Sequence, residues 1–506
     1  MRRKLTQSPG IIDYQKFFGG EMKKEFNLAT DSWIKLAGRP PVSLLDFFAN
    51  DDAIVLGGTA VQKLVVFRLL LAILQVSCSL EDEEEWKELT IEEMKTLAIN
   101  YLKLHIAEFG LYDKEKPFLQ HPLVTVKKEK LLPIGAFLPG VCVGNATVLY
   151  SSNILPQTVS DQDTVYALLQ LVTFGMGGKR PDQSIIFAPG YEKKSAPSSP
   201  ALGRGWLHSF PLGDNIFETL KLNIFSEEKI EEIAFMKSGI GVPPWESMPL
   251  KEVGTEADAY TSSLLGWLVP ISRFCRLEDG MVHMTSGVEY PKIVTGICDL
   301  SVSTKSVGPA AKKTISAVQA QTSCLPWRQL DAVMAYLGKG SALGCKSIQM
   351  RSQDAIGIWC LGMQVSDNSG EQFFSGWDDF VESTFTAQKG WIGTVFFENY
   401  LQEFCEINKL KNILYAAIMN YYKSMKAEDF GKECADRGVR NFWSYAEGLS
   451  LNFIRACAEG DPSKFRSKFN ELILKAYSDV CPSLGIRQLM CYEQNKPRFL
   501  KVEKEE

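Results

Sequence analysis

The feature that most constrains this fold is a change of character near residue 385. After Phe380, glycine and proline thin out and apolar residues recur at helical spacing. Helices are expected at about 392–426, 438–459, 462–480 and 485–495. Asp461-Pro462-Ser463 reads as a stop and restart, because proline suits a first helical turn. Four helices with short links suggest an up-down bundle. Upstream, strand-like and helical stretches alternate with loops rich in Gly, Pro, Ser and Asn. A chain of 506 residues exceeds one ordinary domain. The expectation is an α+β protein: an N-terminal extension over 1–25, a large mixed domain over 26–384, and a C-terminal four-helix bundle over 385–506.

Within the mixed part, the most apolar run is Leu64 to Val76. It contains Arg68 and Gln75 and is too short to cross a bilayer, so it reads as a buried helix starting after Thr59. The acidic run Glu81 to Glu85 suits a helix start, and a second helix is expected from Ile91 to Phe109. Ala146–Tyr150, Leu264–Pro270, Ile293–Leu300 and Ile356–Met363 read as strands. Phe217–Phe225 fits helix or strand, and Trp327–Tyr336 reads as helix. Asp163 to Val172 reads as a helix that delivers Thr173-Phe174-Gly175-Met176-Gly177-Gly178-Lys179-Arg180.

Three glycines in four positions leave a backbone that another molecule can approach closely. Lys179 and Arg180 then add positive charge, a combination that suits contact with a phosphate backbone or a groove edge. The plain alternative is a tight turn followed by two solvated cations. Net charge is −5, with a pI near 5.7. A free-standing DNA binder is usually basic, so any nucleic-acid contact is local or shared with partner subunits.

The chemistry of catalysis is thin. There are four histidines, and none has the spacing of a metal or nucleophile motif. The 12 cysteines form no C-x-x-C pair, which fits reduced thiols in a cytoplasmic protein. No signal peptide or membrane span is read. Gly338 to Ser347 looks like a degenerate phosphate loop, with Cys345 after Gly344 and Lys346 one place late. A nucleotide-binding enzyme built on 338–347 is the alternative function.

Ordered landmarks resemble one family. Phe26-Asn27-Leu28 with Asp31-Ser32-Trp33-Ile34 resembles the opening of the large subunit of type I-E Cascade, the RNA-guided CRISPR surveillance complex. The Leu69–Ile73 helix, Lys116-Pro117-Phe118-Leu119-Gln120, Gly175-Met176-Gly177-Gly178 and the helical stretch Leu410 to Phe453 follow in that family's order.

The resemblance implies a non-enzymatic subunit that reads the protospacer-adjacent motif in double-stranded DNA and starts unwinding for guide pairing. It also implies partners: the 5′ handle of the guide RNA, backbone and small Cascade subunits, and a docked helicase-nuclease. For DNA it implies the glycine loop (Gly175, Gly177, Gly178) with Lys179, a groove-reading lysine near Lys292, and a glutamine wedge for which Gln349 is the candidate, with Lys346 beside it. Tyr150 and Asn153 are the candidates for the RNA handle. Lys409, Lys411, Lys464, Arg466 and Lys468 are candidates for holding the displaced strand. Each has a plain reading too: a surface lysine for Lys292, a polar strand face for Gln349, a half-buried strand for Tyr150, and a solvated helix face for the bundle cations. Cys275 and Cys298 cannot complete a four-ligand zinc site, so neither metal nor cofactor is expected.

Overall fold

The computed structural model describes residues 25–51, 53–138, 159–175, 202–249, 255–288, 290–291, 299–309, 313–339, 343–365 and 380–499. Leu28 and Trp33 are fully buried. Strands β1 (Ile34–Leu36) and β2 (Arg39–Val42) form a hairpin, and Ser43 caps α1 (Leu44–Ala49). Helix α2 (Ala60–Cys78) opens on a capping box in which Thr59 and Gln62 satisfy each other's backbone donors. It is long and apolar enough to span a membrane, but 78% of its most apolar window is buried in the core. Around it lie α3 (Glu83–Glu88) and α4 (Ile91–Leu104). The helix expected to reach Phe109 ends at Leu104, and a 3-10 turn covers Ile106–Phe109.

The two-residue strand β3 (Leu132–Pro133) precedes α5 (Asp161–Thr173), β4 (Leu207–Leu212), α6 (Ile216–Leu222), α7 (Glu227–Glu231) and α8 (Thr255–Thr261). Leu264–Pro270, expected as a strand, is instead the short helix α9 (Leu264–Leu268), because Ser263 caps it by accepting from the Gly266 N–H at 3.1 Å. A short apolar run carries no period that separates the two forms. Ala146–Tyr150 and 293–298 lie outside the described residues.

Next come β5 (Arg273–Glu278), β6 (Met281–Ser286), β7 (Thr304–Val307), β8 (Thr314–Ala317), α10 (Leu330–Val333), α11 (Lys346–Arg351), β9 (Gly357–Met363) and β10 (Phe380–Thr386). Strand β9 is buried at every position and pairs antiparallel on both sides, Leu207↔Gly362 with β4 and Phe380↔Met363 with β10. A central strand covered on both faces tolerates an unbroken apolar run, which is why Ile356–Met363 was legible. Helix α2 packs on this sheet, with Phe67 edge-on to Phe210 and Trp359.

The C-terminal region is helical: α12 (Thr394–Ser424), α13 (Glu428–Glu447), α14 (Ser450–Glu459), α15 (Arg466–Val480) and α16 (Ile486–Asn495). The stretch expected as one helix over 438–459 is two, broken at Gly448-Leu449. Trp327 joins the two parts: its ring meets Phe404, Trp443 and Phe453 edge-on, and its Nε1 donates to Glu447 at 2.6 Å. Burial raises the Glu447 carboxyl pKa, with the indole N–H opposing.

Candidate nucleic-acid interface

Helix α5 runs into Phe174 and Gly175, where the glycine-rich stretch begins. Gly177, Gly178 and Lys179 lie outside the described residues. Gly175 is buried against β5, and a Cβ built there would stand 2.7 Å from Arg273 Cγ. The Ser272 N–H donates to Val172 O at 2.9 Å, which ties the helix end to the strand start.

The chain returns at Leu202 to the same spot. A Cβ on Gly203 would meet Phe174 O at 2.7 Å and Gly175 O at 3.0 Å, both backbone atoms, so only glycine fits. The described residues that flank 176–201 therefore touch. Arg204, next in the chain, donates through Nη2 to Tyr290 O at 2.9 Å and through Nη1 to Pro291 O at 3.1 Å. Lys292, the residue after Pro291, lies outside the described residues. Gly205, at φ +75°, has Val365 Cβ 3.1 Å and Met363 O 3.3 Å from the place its own Cβ would take. Val365 begins the link from β9 to β10. Three successive residues thus bring together the ends of three chain segments: the glycine loop, the stretch that begins with Lys292, and 366–379.

Each end is held firmly. Tyr290 is fully buried, donates its hydroxyl to Gly266 O at 2.7 Å and accepts from the Ile271 N–H at 3.1 Å. Burial lifts its phenol pKa far above the usual range. The far end of 292–298 is Asp299, 3% exposed and paired with buried Arg68 of α2 at 2.7 Å. Arg68 also donates to the carbonyls of Trp267 and Leu268. Ser301 donates to Asp299 Oδ1 at 2.7 Å, and its Oγ lies 2.8 Å from His208 Nδ1. Burial, the largest single influence, raises the Asp299 pKa, but the Arg68 charge, His208 and the hydrogen bonds from Arg68 and Ser301 together hold the carboxyl below its ordinary value. His208 is pushed down to about 3 by burial, with Arg68 adding to the fall and Asp299 opposing it.

This Asp-Ser-His trio does not make a nucleophile. The carboxylate accepts from the serine, not from the histidine, and all three side chains are buried away from any substrate. The other histidines are also in structural use. His121 is buried with Nε2 2.9 Å from Pro249 O, His283 accepts from the Lys127 N–H at 2.8 Å, and His105 packs on Tyr101. Ten described cysteines are free, seven of them buried.

The remaining candidates are scattered. The 139–158 segment, which holds Tyr150 and Asn153, lies outside the described residues. It leaves from Leu138, next to Phe137, whose carbonyl accepts from Gln170 of α5 at 2.6 Å. Gln349 is exposed on helix α11, not on a strand face, and its Oε1 accepts from Lys346 Nζ at 2.9 Å. That helix hangs on other anchors: the Ser347 N–H donates to Leu300 O, Ser347 Oγ to Ser209 O, and Arg351 pairs with Glu83 at 2.6 Å. A 3-10 turn, not a strand, precedes the 338–347 stretch, so the context of a phosphate loop is missing.

In the bundle, Arg466 clasps buried Glu403, with Nε 2.9 Å from Oε2. Lys409 pairs with Glu406 at 2.6 Å, Lys464 with Asp461 at 3.5 Å, and Lys468 lies over the Phe465 ring. At about 100° per residue, Lys411 sits about 80° around α12 from Glu403 and Lys409 about 240°. Lys411 therefore shares the α15 side of the helix and Lys409 does not. The five cations are not one stripe.

The comparisons with known proteins agree with this architecture. The family model for CRISPR-associated protein Cse1 matches residues 27–479. The fold is similar to that of CasA from Thermus thermophilus, at 17% identity and a TM-score of 0.72 over 93% of this chain and 98% of that one. Cse1 from Thermobifida fusca gives 17% and 0.70 over 93% and 94%. A chain of a CRISPR RNA-guided surveillance complex gives 16% and 0.69 over 93% and 98%. No curated protein sequence matches significantly.

Proposed function

The chain belongs to the CRISPR-associated Cse1 family, the large subunit of type I-E Cascade, and we propose that it reads the protospacer-adjacent motif in duplex DNA and starts strand opening for the guide. One observation carries this reading: the ends of the glycine loop, of the Lys292 segment and of 366–379 converge on Gly203-Arg204-Gly205. A side-chain-poor ribbon and a lysine presented from one anchored base suit the minor groove, whose donor and acceptor pattern is degenerate and shallow in information. Gly177, Gly178 and Lys179 lie along the groove and Lys292 reads from its side, while Gly175, buried against Arg273 and Gly203, anchors the loop and does not itself touch DNA. A wedge between base pairs costs a few kcal/mol of unstacking, offset by groove contacts and guide pairing. For that wedge the candidate is Gln349, exposed on α11 with Lys346 bonded to its Oε1.

Tyr150 and Asn153 meet the 5′ handle of the guide RNA, where an aromatic stacks on an unpaired base. Lys411 and Lys468 hold the displaced strand, with Lys409 and Lys464 at its margin and Arg466 serving Glu403. The helicase-nuclease docks on the assembled complex, the other Cascade subunits are its permanent partners, and the cytoplasm is where it works. This chain breaks no bond itself. Gly178→Asp puts a carboxylate against the duplex. In the assembled ribonucleoprotein it should abolish binding of motif-bearing duplex without loss of subunits, and unchanged affinity refutes the reading.

A further inference from the structure

We propose that Trp327 is a positioning residue that pins the helical bundle to the start of β4 and so sets where the bundle's cations meet the displaced strand. The inference rests on the motif-reading and strand-holding roles proposed above. A short strut, Val318–Trp327, runs from one place to the other. Its first part lies along the start of β4. The Leu207 N–H donates to Val318 O and the Ala320 N–H to Gly205 O, both at 2.9 Å, and Gln319 pairs antiparallel with Trp206. Strand β9 comes so close that a Cβ on Gly362 would stand 2.8 Å from Ala320 Cβ. The chain then turns over Gln321–Cys324. That turn is tied to Gln364, just past β9, whose Oε1 accepts from the Thr322 N–H at 3.0 Å and from its hydroxyl at 3.1 Å.

At the far end Trp327 is fully buried among three helices of the bundle. Its ring is edge-on to Phe404 of α12 at 6.0 Å, Trp443 of α13 at 5.8 Å and Phe453 of α14 at 6.2 Å. Two polar bonds add direction. Nε1 donates to Glu447 of α13 at 2.6 Å, and the carbonyl accepts from the Tyr400 hydroxyl of α12 at 2.8 Å. Arg328, next in the chain, sets its guanidinium carbon 3.8 Å from the centre of the Trp443 ring and donates back to Ser323 O at 2.9 Å. Turn and plug are therefore one unit. A bond from a buried indole to a carboxylate is charge-assisted and directional, so it fixes the angle at which α13 meets the strut more tightly than apolar contact alone. By contrast, the Arg455 bond to Thr386 O, between α14 and β10, is exposed and 3.3 Å long. Lys411 lies on α12 and Lys468 on α15, two helices held together by the Arg466–Glu403 pair. A tilt about Trp327 carries both lysines away from their place relative to β4 without breaking the bundle's own core. Holding of the displaced strand therefore depends on the plug, and recognition of the motif does not.

The test uses the complex assembled with guide RNA and two motif-bearing targets, one a complete duplex and one whose displaced strand stops at the motif. Affinities are titrated by fluorescence anisotropy for Trp327→Phe, Glu447→Leu and Glu447→Gln. Phe469→Leu, on α15 and edge-on to Phe453, is the control for a loosened bundle core. Trp327→Phe and Glu447→Leu should each lose on the order of fivefold on the complete duplex and stay within about twofold of wild type on the truncated target. Their combination should cost no more than either alone, since both remove one bond. Glu447→Gln keeps an acceptor and should bind both targets as the wild type does. Phe469→Leu should lower the melting temperature at least as far as Trp327→Phe and leave the ratio of the two affinities unchanged. Equal losses on the two targets, additive losses in the double variant, or a Phe469→Leu loss confined to the complete duplex would overturn the proposal. So would wild-type binding of the complete duplex by Trp327→Phe. The premises are separated in the same assay. Wild-type affinity that ignores a scrambled motif refutes the motif-reading role alone. A Lys411→Ala, Lys468→Ala double variant that binds both targets as the wild type does refutes the strand-holding role, and this proposal with it.

Discussion

The buried His208 makes a sharp prediction about acid. It sits on β4 with no exposed surface, and its Nε2 has no hydrogen-bond partner among the described residues. Its folded pKa is about 3, against an ordinary 6.5. The sign follows from proton counts. Between these values the unfolded chain binds a proton that the folded chain refuses, so stability falls as pH drops through this window. Each full unit of difference is worth about 1.4 kcal/mol, which gives a loss of about 2 kcal/mol at pH 5 and about 3 kcal/mol at pH 4. Asp299, with a folded pKa below its ordinary 3.8, contributes in the same sense, but only as pH falls below about 4. His208→Asn keeps a polar atom near Ser301 Oγ and removes the titration. Urea unfolding followed by tryptophan fluorescence at pH 7.5, 6, 5 and 4 should show a variant that is weaker at pH 7.5 yet loses about 2 kcal/mol less than the wild type on going to pH 5. Parallel curves for the two proteins would refute the reasoning.

Arg68→Met should cost about 3–5 kcal/mol, because it strands the Asp299 carboxylate in the core; the double change with Asp299→Asn should recover part of that, read as unfolding midpoints. Gly203→Ala forces a methyl group onto the Phe174 carbonyl, so motif discrimination should drop in duplex titrations while the bundle's helical signal is retained. Lys411→Ala should weaken binding to a single strand with little change in melting temperature, whereas Arg466→Ala should lower the melting temperature by uncovering Glu403.

Much of the architecture was legible. The thinning of glycine and proline after Phe380 announced the helical region, and the Thr59 cap with the Leu64–Val76 run announced the central helix. The misses have local causes. Leu264–Leu268 is too short for periodicity, and Ser263 decides for helix. The break at Gly448 is a single glycine inside a strong helical pattern. The site was legible only as a resemblance in landmark order. What the sequence hid is the convergence: Gly203, Arg204 and Gly205 are adjacent in the chain, yet their partners Gly175, Pro291 and Val365 are spread over nearly two hundred positions. Gly203 and Gly205 flanking an arginine were the available signal, but such a pattern carries no meaning until the partners are known. Gln349, the wedge candidate that the resemblance implies, sits on a helix with its own anchors and not on a strand face.

The most direct test places a photo-crosslinking side chain, benzoylphenylalanine, at Lys179 in the assembled complex and maps the DNA it captures. The account predicts crosslinks confined to the base pairs of the motif, from the minor-groove side, and their loss when the motif is scrambled. Crosslinks spread along the duplex regardless of sequence, or found only on RNA or a neighbouring subunit, would contradict it.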